Sequence, residues 1–383
     1  MTEEYRTERD SLGEMQVPAD AYWGAQTQRA IENFPVSDAT FGRRFVRALG
    51  VVKKAAALAN HDLGLLPAET AEPIVEAADE VIAGEHDDQF PVDVFQTGSG
   101  TSSHMNANEV IANRASELVG AEVGAREIHP NDHLNYGQSS NDIVPTAMHV
   151  ASTEAVQYDL LPALETLRDA LAAKEDEFGD VVKTGRTHLQ DATPITLGQE
   201  FSGYRTQVEK GIERVEGTLP RLRELALGGT AVGTGLNTHP EFPAQAAEYI
   251  AEETGIAFRE ADNHFEAQAA HDAMNEAHGA VRTVAGSLNK IANDLRLLAS
   301  GPRNGLGEID QPENQPGSSI MPGKTNPVVA EAVNQVHKQV VGNDAAIAAG
   351  AAEGQIDLNL YKPVIAYNFL QSADILANAS EVF

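Results

Sequence analysis

GSSIMPGKTNP, residues 317–327, combines two glycines and two prolines with serine, lysine and asparagine. Proline fixes φ and removes a backbone donor, while glycine frees φ, so a short run with two of each cannot be a regular helix or strand. We interpret it as a loop. Ser318, Ser319 and Lys324 lie in this loop directly ahead of a helix, which suits a catalytic lid. An ordinary surface loop is the alternative.

A helix is predicted directly after this loop. Asn326 and Pro327 are typical of a helix cap and the first helical residue, because asparagine accepts from free N–H groups and proline tolerates the first turn. The apolar residues that follow are spaced by four, three and four positions, which is a helical period. They are Val329, Val333, Val336 and Val340.

A phosphate-binding P-loop is a rival interpretation of Gly-Lys-Thr in this segment. That motif requires four residues between its first glycine and the Gly-Lys pair, whereas five separate Gly317 from Gly323. The preceding residues, EIDQPENQP, are also not an apolar strand. The spacing argues against a bound nucleotide.

The composition is that of an acidic globular protein. The 383 residues carry 27 Lys and Arg against 57 Asp and Glu, a formal charge of −30, yet 42% are apolar and can form a core. Such a surface suits high salt, where screening removes self-repulsion, although an acidic protein of ordinary salt is the alternative. The charge argues against nucleic acid or an anionic membrane as partner.

Cysteine is absent, which excludes disulfides, thiol nucleophiles and thiolate metal sites. The start, MTEEYRTERD, lacks the basic and apolar regions of a signal peptide, and we find no long apolar run. We therefore expect a cytoplasmic protein.

Apolar periodicity predicts a protein that is mainly α-helical. One stripe steps by four, three, four and three positions, a seam for packing against other long helices. Its members are Val284, Leu288, Ile291, Leu295 and Leu298. Residues 1–50 look irregular, and a shorter helix is expected near 106–118. Longer helical segments, typical of a bundle, are expected over roughly 43–84, 146–178, 196–226, 262–300 and 327–350.

Histidines recur in two places without indicating a metal site. His264, His271 and His278 are seven residues apart, which favours packed or interfacial histidines over ligands. His129 and His133 have the i, i+4 spacing of a zinc pair, but the intervening Pro130 argues against a continuous helix.

Four segments combine glycine with small polar side chains, and each precedes a predicted helix. Any one of them alone is more typical of a turn or cap. If they converge, their backbone N–H groups and helix dipoles would bind a small polyanion. The segments are QTGSGTSSHMNANE (96–109), HPNDHLNYGQSSND (129–142), GRTHLQDATP (185–194) and the 317–327 loop.

All four segments, in this order, resemble those of the fumarase/aspartase superfamily, and the resemblance covers essentially the whole chain. ALGGTAVGTGLNT (226–238) and IANDLRLLASGP (291–302) agree as well. Within the superfamily the chain is most similar to the metal-free class II fumarases. His188 in GRTHLQD and Ser140 in QSSND are the fumarase forms, where aspartases carry Gln and tend to carry Thr. The acidic composition adds the expectation of a halophilic source.

The resemblance implies the reversible hydration of fumarate to malate through an aci-carboxylate, with Ser318 as base and His188 activating water. Glu331 would pair with His188, and Lys324 would stabilise charge. The substrate-binding residues that it implies are Ser99, Gly100, Thr101, Ser139, Ser140, Asn141, Thr187, Ser319, Lys324 and Asn326. A second dicarboxylate site would hold Arg126, His129, Asn131 and Asp132, for which a surface turn is the alternative.

The resemblance also implies a homotetramer with a shared helical core, sites built from several chains, and no cofactor or metal. We expect an N-terminal domain over 1–138 and a long-helix domain over 139–383. The C-terminal domain usual in the family would lie beyond Phe383. Two alternatives to this function remain: an aspartate ammonia-lyase, and a noncatalytic structural protein on the same scaffold.

Overall fold

The structure is a computed structural model that describes residues 4–383. Two compact units make up the chain. Unit 1 consists of the residues up to Glu154, Pro220–Asn275 and Ala346–Leu370. Unit 2 consists of Ala155–Leu219, Glu276–Ala345 and Gln371–Phe383. These units interleave along the chain, whereas the division into 1–138 and 139–383 uses continuous segments and stays a prediction.

The described residues are mainly helical, which confirms the predicted fold class. Their helices are α1 (Ala25–Asn33), α2 (Arg43–Asp62), α3 (Ala68–Ala83), α4 (Thr101–Leu118), α5 (Ser140–Glu154), α6 (Leu161–Glu177), α7 (Leu197–Glu216), α8 (Leu219–Leu222), α9 (Phe242–Thr254), α10 (His264–Ala269), α11 (Asp272–Leu298), α12 (Val328–Ala352) and α13 (Lys362–Val382). A 3₁₀ turn covers Asp87–Gln89, and a π-helix, Ala155–Leu160, joins α5 to α6.

Strands are few and short, and they pair only in twos among residues 4–383. Two pairs are antiparallel and the third is parallel. The strands are β1 (Tyr5–Asp10), β2 (Gly13–Pro18), β3 (Val182–Thr187), β4 (Gln190–Thr196), β5 (Glu224–Leu225) and β6 (Arg259–Glu260).

The sequence-based view of residues 1–50 as irregular was wrong, since β1, β2 and α1 lie there. The two strands are mostly polar and half-exposed, so they show no apolar alternation to detect. Backbone pairing and ion pairs stabilise them instead. Arg29 Nε lies 2.7 Å from Asp10 Oδ2 and joins α1 to the end of β1.

In unit 1, helix α2 lies at the centre of the core. It packs against α3, α5 and α9 and buries thirteen of its twenty residues. A buried carboxylate fixes the neighbouring helix α1: Glu109 accepts from the backbone N–H groups of Gly24, Gln26 and Thr27 at 2.9–3.0 Å. These are the free donors that begin a helix, so Glu109 acts as the N-terminal cap that α1 itself lacks.

In unit 2, long helices pack closely, as the heptad-like stripe predicts. Val284, Leu288 and Ile291 of α11 are fully buried, and Leu298 is nearly so. A Cβ on Gly211 of α7 would lie 3.1 Å from Val284 Cγ2, so this glycine allows α7 and α11 to approach.

A buried histidine joins three of these helices. His278 of α11 is 0% exposed, and its Nδ1 lies 2.8 Å from Asp344 Oδ1 of α12. Its Nε2 lies 2.9 Å from Ser372 Oγ of α13. The prediction that this histidine is packed rather than metal-binding agrees with these contacts. Among the described residues, no helix has the length and apolar character that a membrane crossing requires.

Candidate active site

Two of the four polar segments meet in unit 1, where α4 and α5 begin. Gly100, just before α4, has a left-handed φ of +79°, and a Cβ there would lie 2.7 Å from Val144 Cγ1 of α5. Only glycine permits both the turn and the close approach. Ser99 Oγ and Thr101 Oγ1 lie 2.7 Å apart at the first turn of α4. Two helix N-termini, each attractive to an anion, are therefore adjacent.

The segment Ser139–Asn141 at the start of α5 is held by a buried carboxylate. Asp142 is 0% exposed, and its Oδ1 accepts from the Ser139 N–H at 2.9 Å. Its Oδ2 accepts from the N–H groups of Gly228 and Thr230 at 3.1 and 2.9 Å. Burial raises the pKa of this carboxyl, and the three backbone donors oppose that shift. Asp142 therefore fixes the entry to α5 on the 228–230 loop.

The same segment opens onto a cavity of about 650 Å³. Asn141 Nδ2 donates to the Ala231 carbonyl at 2.8 Å, and the Asn141 N–H donates to Ser139 Oγ at 3.2 Å. Ser139 therefore lies on the cavity wall beside residues of the expected second site. The lining residues are Asn131, Asp132, Asn135, Tyr136, Gly137, Gln138, Ser139, Thr230, Ala231, Leu236 and Asn237.

A buried lysine supports this wall. Lys53 of α2 is 0% exposed, and its Nζ donates to Gln138 Oε1 at 2.7 Å and to Asn135 Oδ1 at 3.1 Å. Burial holds the pKa of Lys53 well below its usual value, and the nearby Asp142 opposes that shift. Lys53 Nζ therefore supports the two amides behind the cavity as a hydrogen-bond donor.

The expected second site is a turn whose geometry is set by His129. Its Nδ1 accepts from the N–H groups of Asn131 and Asp132 at 3.2 and 3.1 Å, and lies 3.4 Å from Asp132 Oδ2. Burial lowers the pKa of His129, in keeping with a neutral ring that accepts. Arg126 has a left-handed φ of +59° and donates to the Arg9 carbonyl. The turn that His129 stabilises therefore places Asn131 and Asp132 on the cavity wall.

In unit 2, Thr187 and His188 lie at the tip of an exposed β-hairpin. Thr187 pairs with Gln190, which leaves His188 and Leu189 as a two-residue turn. Both have left-handed φ, +56° and +58°, the pattern of a type I′ turn that usually takes Asn and Gly. A histidine and a leucine at such positions are strained, and strain of this kind concentrates at functional sites.

Ion pairs fix the base of this hairpin. Lys183 Nζ lies 2.6 Å from Glu200 Oε2 and 3.1 Å from Glu308 Oε2. Arg186 Nη1 lies 2.6 Å from Glu308 Oε1. These cations lower the pKa of Glu308 against the effect of its burial. The tip that carries His188 therefore extends from a braced base.

The 317–327 loop of unit 2 is largely exposed and is closed by a few local hydrogen bonds. The Gly317 N–H donates to the Lys324 carbonyl at 2.9 Å, and Asn326 Nδ2 donates to the Gly317 carbonyl at 2.5 Å. Ser318 Oγ accepts from the N–H groups of Ile320 and Met321 at 3.2 and 3.0 Å. A serine oxygen that faces two N–H groups gains stability as an anion, which is what a serine base requires.

Glu331 lies in the first turn of α12, where sequence reasoning expects it. Within residues 4–383 of one chain, however, no hydrogen bond or ion pair joins Glu331 to His188. Ser99–Thr101 and Ser139–Asn141 thus lie in unit 1, and Thr187–His188 and Ser318–Glu331 lie in unit 2.

Sequence reasoning missed the buried residues behind the binding segments: Lys53, His104 and Asp142. Lys53 follows Val46 by seven positions and Gly50 by three, so helical period places it on the buried face of α2. That signal was available. No comparable signal distinguished His104. Among the described residues, no group of three His, Asp or Glu side chains could hold a metal ion.

Comparisons with known proteins identify one family. The model of the lyase family matches residues 13–342. The chain is 82% identical over 383 residues to fumarate hydratase class II of Halobacterium salinarum, covering 100% of this chain and 82% of that protein. It is 58% identical over 382 residues to the Nitrosomonas europaea class II enzyme, covering 100% of this chain and 83% of the relative.

Solved structures of similar fold point to the same family. The recombinant class II fumarase from Schistosoma mansoni superimposes with a TM-score of 0.98 at 41% identity, covering 99% of this chain and 83% of that one. A fumarate lyase:delta crystallin from Brucella melitensis, bound to cobalt, gives a TM-score of 0.94 at 49% identity, covering 98% and 82%.

Proposed function

We infer, because this chain belongs to the lyase family and within it to the class II fumarate hydratases, that it catalyses the reversible hydration of fumarate to malate. The observation that carries this conclusion is the 82% identity over all 383 residues to a class II enzyme. It confirms the family and the activity expected from the sequence, and its Halobacterium source fits the expected halophilic origin. We infer a hydro-lyase that works without a metal.

We propose that unit 1 binds one carboxylate of the substrate. Thr101 and the Ser139–Asn141 segment offer hydroxyl, amide and backbone donors at two adjacent helix N-termini. Ser99 and Gly100 complete the turn before α4. Most of these donors are neutral. They therefore bind the carboxylate without a fixed charge, which would stabilise the ground state and the transition state equally.

The 317–327 loop would bind the other carboxylate and remove the proton. Lys324 is an exposed cation, and Asn326 and Ser319 add amide and hydroxyl donors. Ser318 would abstract the proton beside a carboxylate, and the resulting aci-carboxylate carries extra negative charge. The two N–H groups that face Ser318 Oγ would activate the serine as a base, the Lys324 charge would stabilise the aci-carboxylate, and closure of the loop would exclude water.

His188 would act on the opposite face of the carbon–carbon bond. In hydration it takes a proton from water, and in dehydration it protonates the departing hydroxyl. Thr187 beside it would complete the pocket. Glu331 would pair with the ring and hold its tautomer, which is the usual role of a carboxylate behind a catalytic histidine.

We propose a homotetramer in which these parts come from different chains. The absence of a His188–Glu331 contact within residues 4–383 of one chain supports this arrangement, because the pair would then form between subunits. The long helices of unit 2 supply the faces for a shared core. The division at residue 138 and the cytoplasmic location remain proposals of the same kind.

We propose that Arg126, His129, Asn131 and Asp132 form a second dicarboxylate site. Asn131 and Asp132 line the same cavity as Ser139, which supports a path between the two sites. The Asp132 carboxylate opposes binding of a dianion, so affinity there should be lower than at the first site.

The test is the absorbance of fumarate after malate is added to purified protein in molar KCl, without metal or nucleotide. Rising absorbance supports the proposal. Ammonia released from aspartate instead would identify an ammonia-lyase, and neither reaction in a folded, assembled protein would identify a noncatalytic relative.

A further inference from the structure

A buried histidine contacts one of the proposed substrate-binding hydroxyls. His104 lies one turn into α4 and is 0% exposed. Its Nδ1 is 2.7 Å from Ser140 Oγ, the first residue of α5. This contact joins the two helices whose N-termini form the binding half of unit 1.

The proton on the His104 ring is assigned by its neighbour on the same helix. Asn108 Nδ2 lies 3.3 Å from His104 Nε2 and 3.5 Å from Met105 Sδ. Met105 Sδ can only accept, which places the Asn108 NH₂, a donor only, on the side that also faces His104 Nε2. Nε2 therefore accepts, and the proton of the neutral ring is on Nδ1, as the hydrogen-bond network assigns it.

The ring is held in its neutral form, so it has a single N–H. Burial is the main cause that lowers the pKa of His104 well below its usual value, the Lys53 charge adds to it, and a hydrogen bond with Asn135 opposes it. A neutral ring with its one proton on Nδ1 donates to Ser140 Oγ and accepts nothing from it.

We propose that His104 is a positioning residue that fixes the direction of the Ser140 hydroxyl: His104 Nδ1–H donates to Ser140 Oγ, which leaves the hydroxyl hydrogen free to donate to a substrate carboxylate. The inference rests on the proposed function of Ser140. In the other tautomer, the ring would take that hydrogen and Ser140 would offer only lone pairs to the carboxylate, which is repulsive. The histidine thus selects for a negatively charged ligand without touching it.

Kinetics of substituted enzymes test the proposal in molar KCl. His104→Leu and His104→Gln both lack a donor at the Nδ1 position, since the longer Gln places its amide near Nε2. We expect KM for malate to rise roughly tenfold or more in each, the scale of a lost hydrogen bond to a charged group, with kcat changed less. His104→Asn places an N–H₂ at the Nδ1 position and should restore KM to within about threefold of wild type.

The control is His271→Leu, which removes a histidine that is 1% exposed and whose two ring nitrogens have no hydrogen-bond partner. It should leave KM unchanged. In a Ser140→Ala background, His104→Leu should add less than about a twofold effect, because the histidine acts through that hydroxyl. Full additivity, or a normal KM in both His104→Leu and His104→Gln, would overturn the proposal.

Nitrogen-15 NMR of the histidine rings gives a readout that does not need activity. The His104 resonances should show the Nδ1–H tautomer in wild type. An Nε2–H tautomer in an active enzyme would overturn this inference and leave the proposed function standing, whereas an inactive wild type would overturn the proposed function and this inference with it.

Discussion

The two units contribute site residues in opposite ways. In unit 1 the binding residues rest on buried polar groups: Asp142 holds three backbone N–H groups, and Lys53 and His104 hold side chains behind the cavity. In unit 2, His188 lies at an exposed hairpin tip and Ser318 in an exposed loop. Under the proposed function, binding would be preorganised within unit 1, while the proposed reacting groups of unit 2 would lie on surfaces that other chains complete.

The largest expected effect concerns the exposed reacting groups. Ser318→Ala and His188→Asn should each lower kcat by roughly 10²-fold or more, the scale of a lost acid or base, with a smaller change in KM. The free energy of unfolding should barely change, because His188 is exposed and the hydrogen bonds of Ser318 Oγ are local to its own loop. Steady-state kinetics and thermal melting measure the two quantities.

His61→Asn is the matched control, since it removes another exposed histidine at the end of α2, far along the chain from the four polar segments. It should retain full activity. A near-normal kcat in either Ser318→Ala or His188→Asn would remove that residue from its proposed role.

The next effect is a loss of stability in unit 1, where buried polar groups hold the proposed binding segments. Asp142→Asn replaces an acceptor oxygen by an NH₂ and leaves at least one of its three backbone donors unpaired in the interior. We expect the free energy of unfolding to fall by about 2 kcal/mol. Asp20→Asn changes an exposed carboxylate and should stay within about 0.5 kcal/mol of wild type. Equal urea midpoints for Asp142→Asn and Asp20→Asn would contradict the conclusion that buried polar groups stabilise unit 1.

The sequence predicted the helical fold, and it marked the four polar segments as candidates, because both signals are local. The spacing of Val284, Leu288 and Ile291 needs only one helix, and Gly and Pro in the 317–327 loop act on their own backbone. The contact between His104 and Ser140 joins residues 36 positions apart, and the support from Lys53 joins residues 85 apart. Side-chain pairs of this kind follow from packing, which no local period encodes.

Helix α13 and the β1–β2 hairpin were missed for different reasons. The hairpin is polar on both faces, so its strands lack alternation. In α13, the apolar residues Ile365 and Phe369 follow a helical step and are fully buried, so the period of the sequence does indicate a helix there. The hairpin therefore has no local signal in the sequence, whereas helix α13 has one.

Salt should act on assembly more than on either half of the site. At about 0.01 M salt the Debye length is about 30 Å, so carboxylates across a surface with a net charge of −30 repel unscreened. We expect the tetramer to dissociate and activity to fall with it, and molar KCl to restore both. Sedimentation at 0.01 M and 2 M KCl measures this, and identical profiles would show that the acidic surface does not govern assembly.

A pH dependence of stability is also expected on the unit 1 side. Lys362 is 0% exposed, its Nζ donates to the Asn359 carbonyl, and its N–H donates to the Gly98 carbonyl beneath the start of α4. Burial lowers the pKa of Lys362 from 10.5 to about 7. Between these values the unfolded chain binds more protons, so stability rises with pH across that window, by about 1 kcal/mol per pH unit.

Lys362→Met should flatten this rise, because methionine carries no proton in either state. Lys54→Met, which removes a lysine paired with Asp79 and Glu253 at the surface, is the control and should keep the rise. Chemical unfolding at pH 7, 8.5 and 10 in constant salt gives the slopes. The same slope in wild type and Lys362→Met would contradict a buried, deprotonated lysine there.

Mixing two inactive variants tests whether different chains contribute His188 and Ser318 to one site. His188→Asn and Ser318→Ala proteins are dissociated in low salt, mixed and reassembled in molar KCl, with each variant alone treated identically. We predict that the mixture regains a substantial share of wild-type activity, because some sites then receive an intact His188 from one chain and an intact Ser318 from another. A mixture as inactive as its components, or a fully active wild-type monomer, would contradict the account.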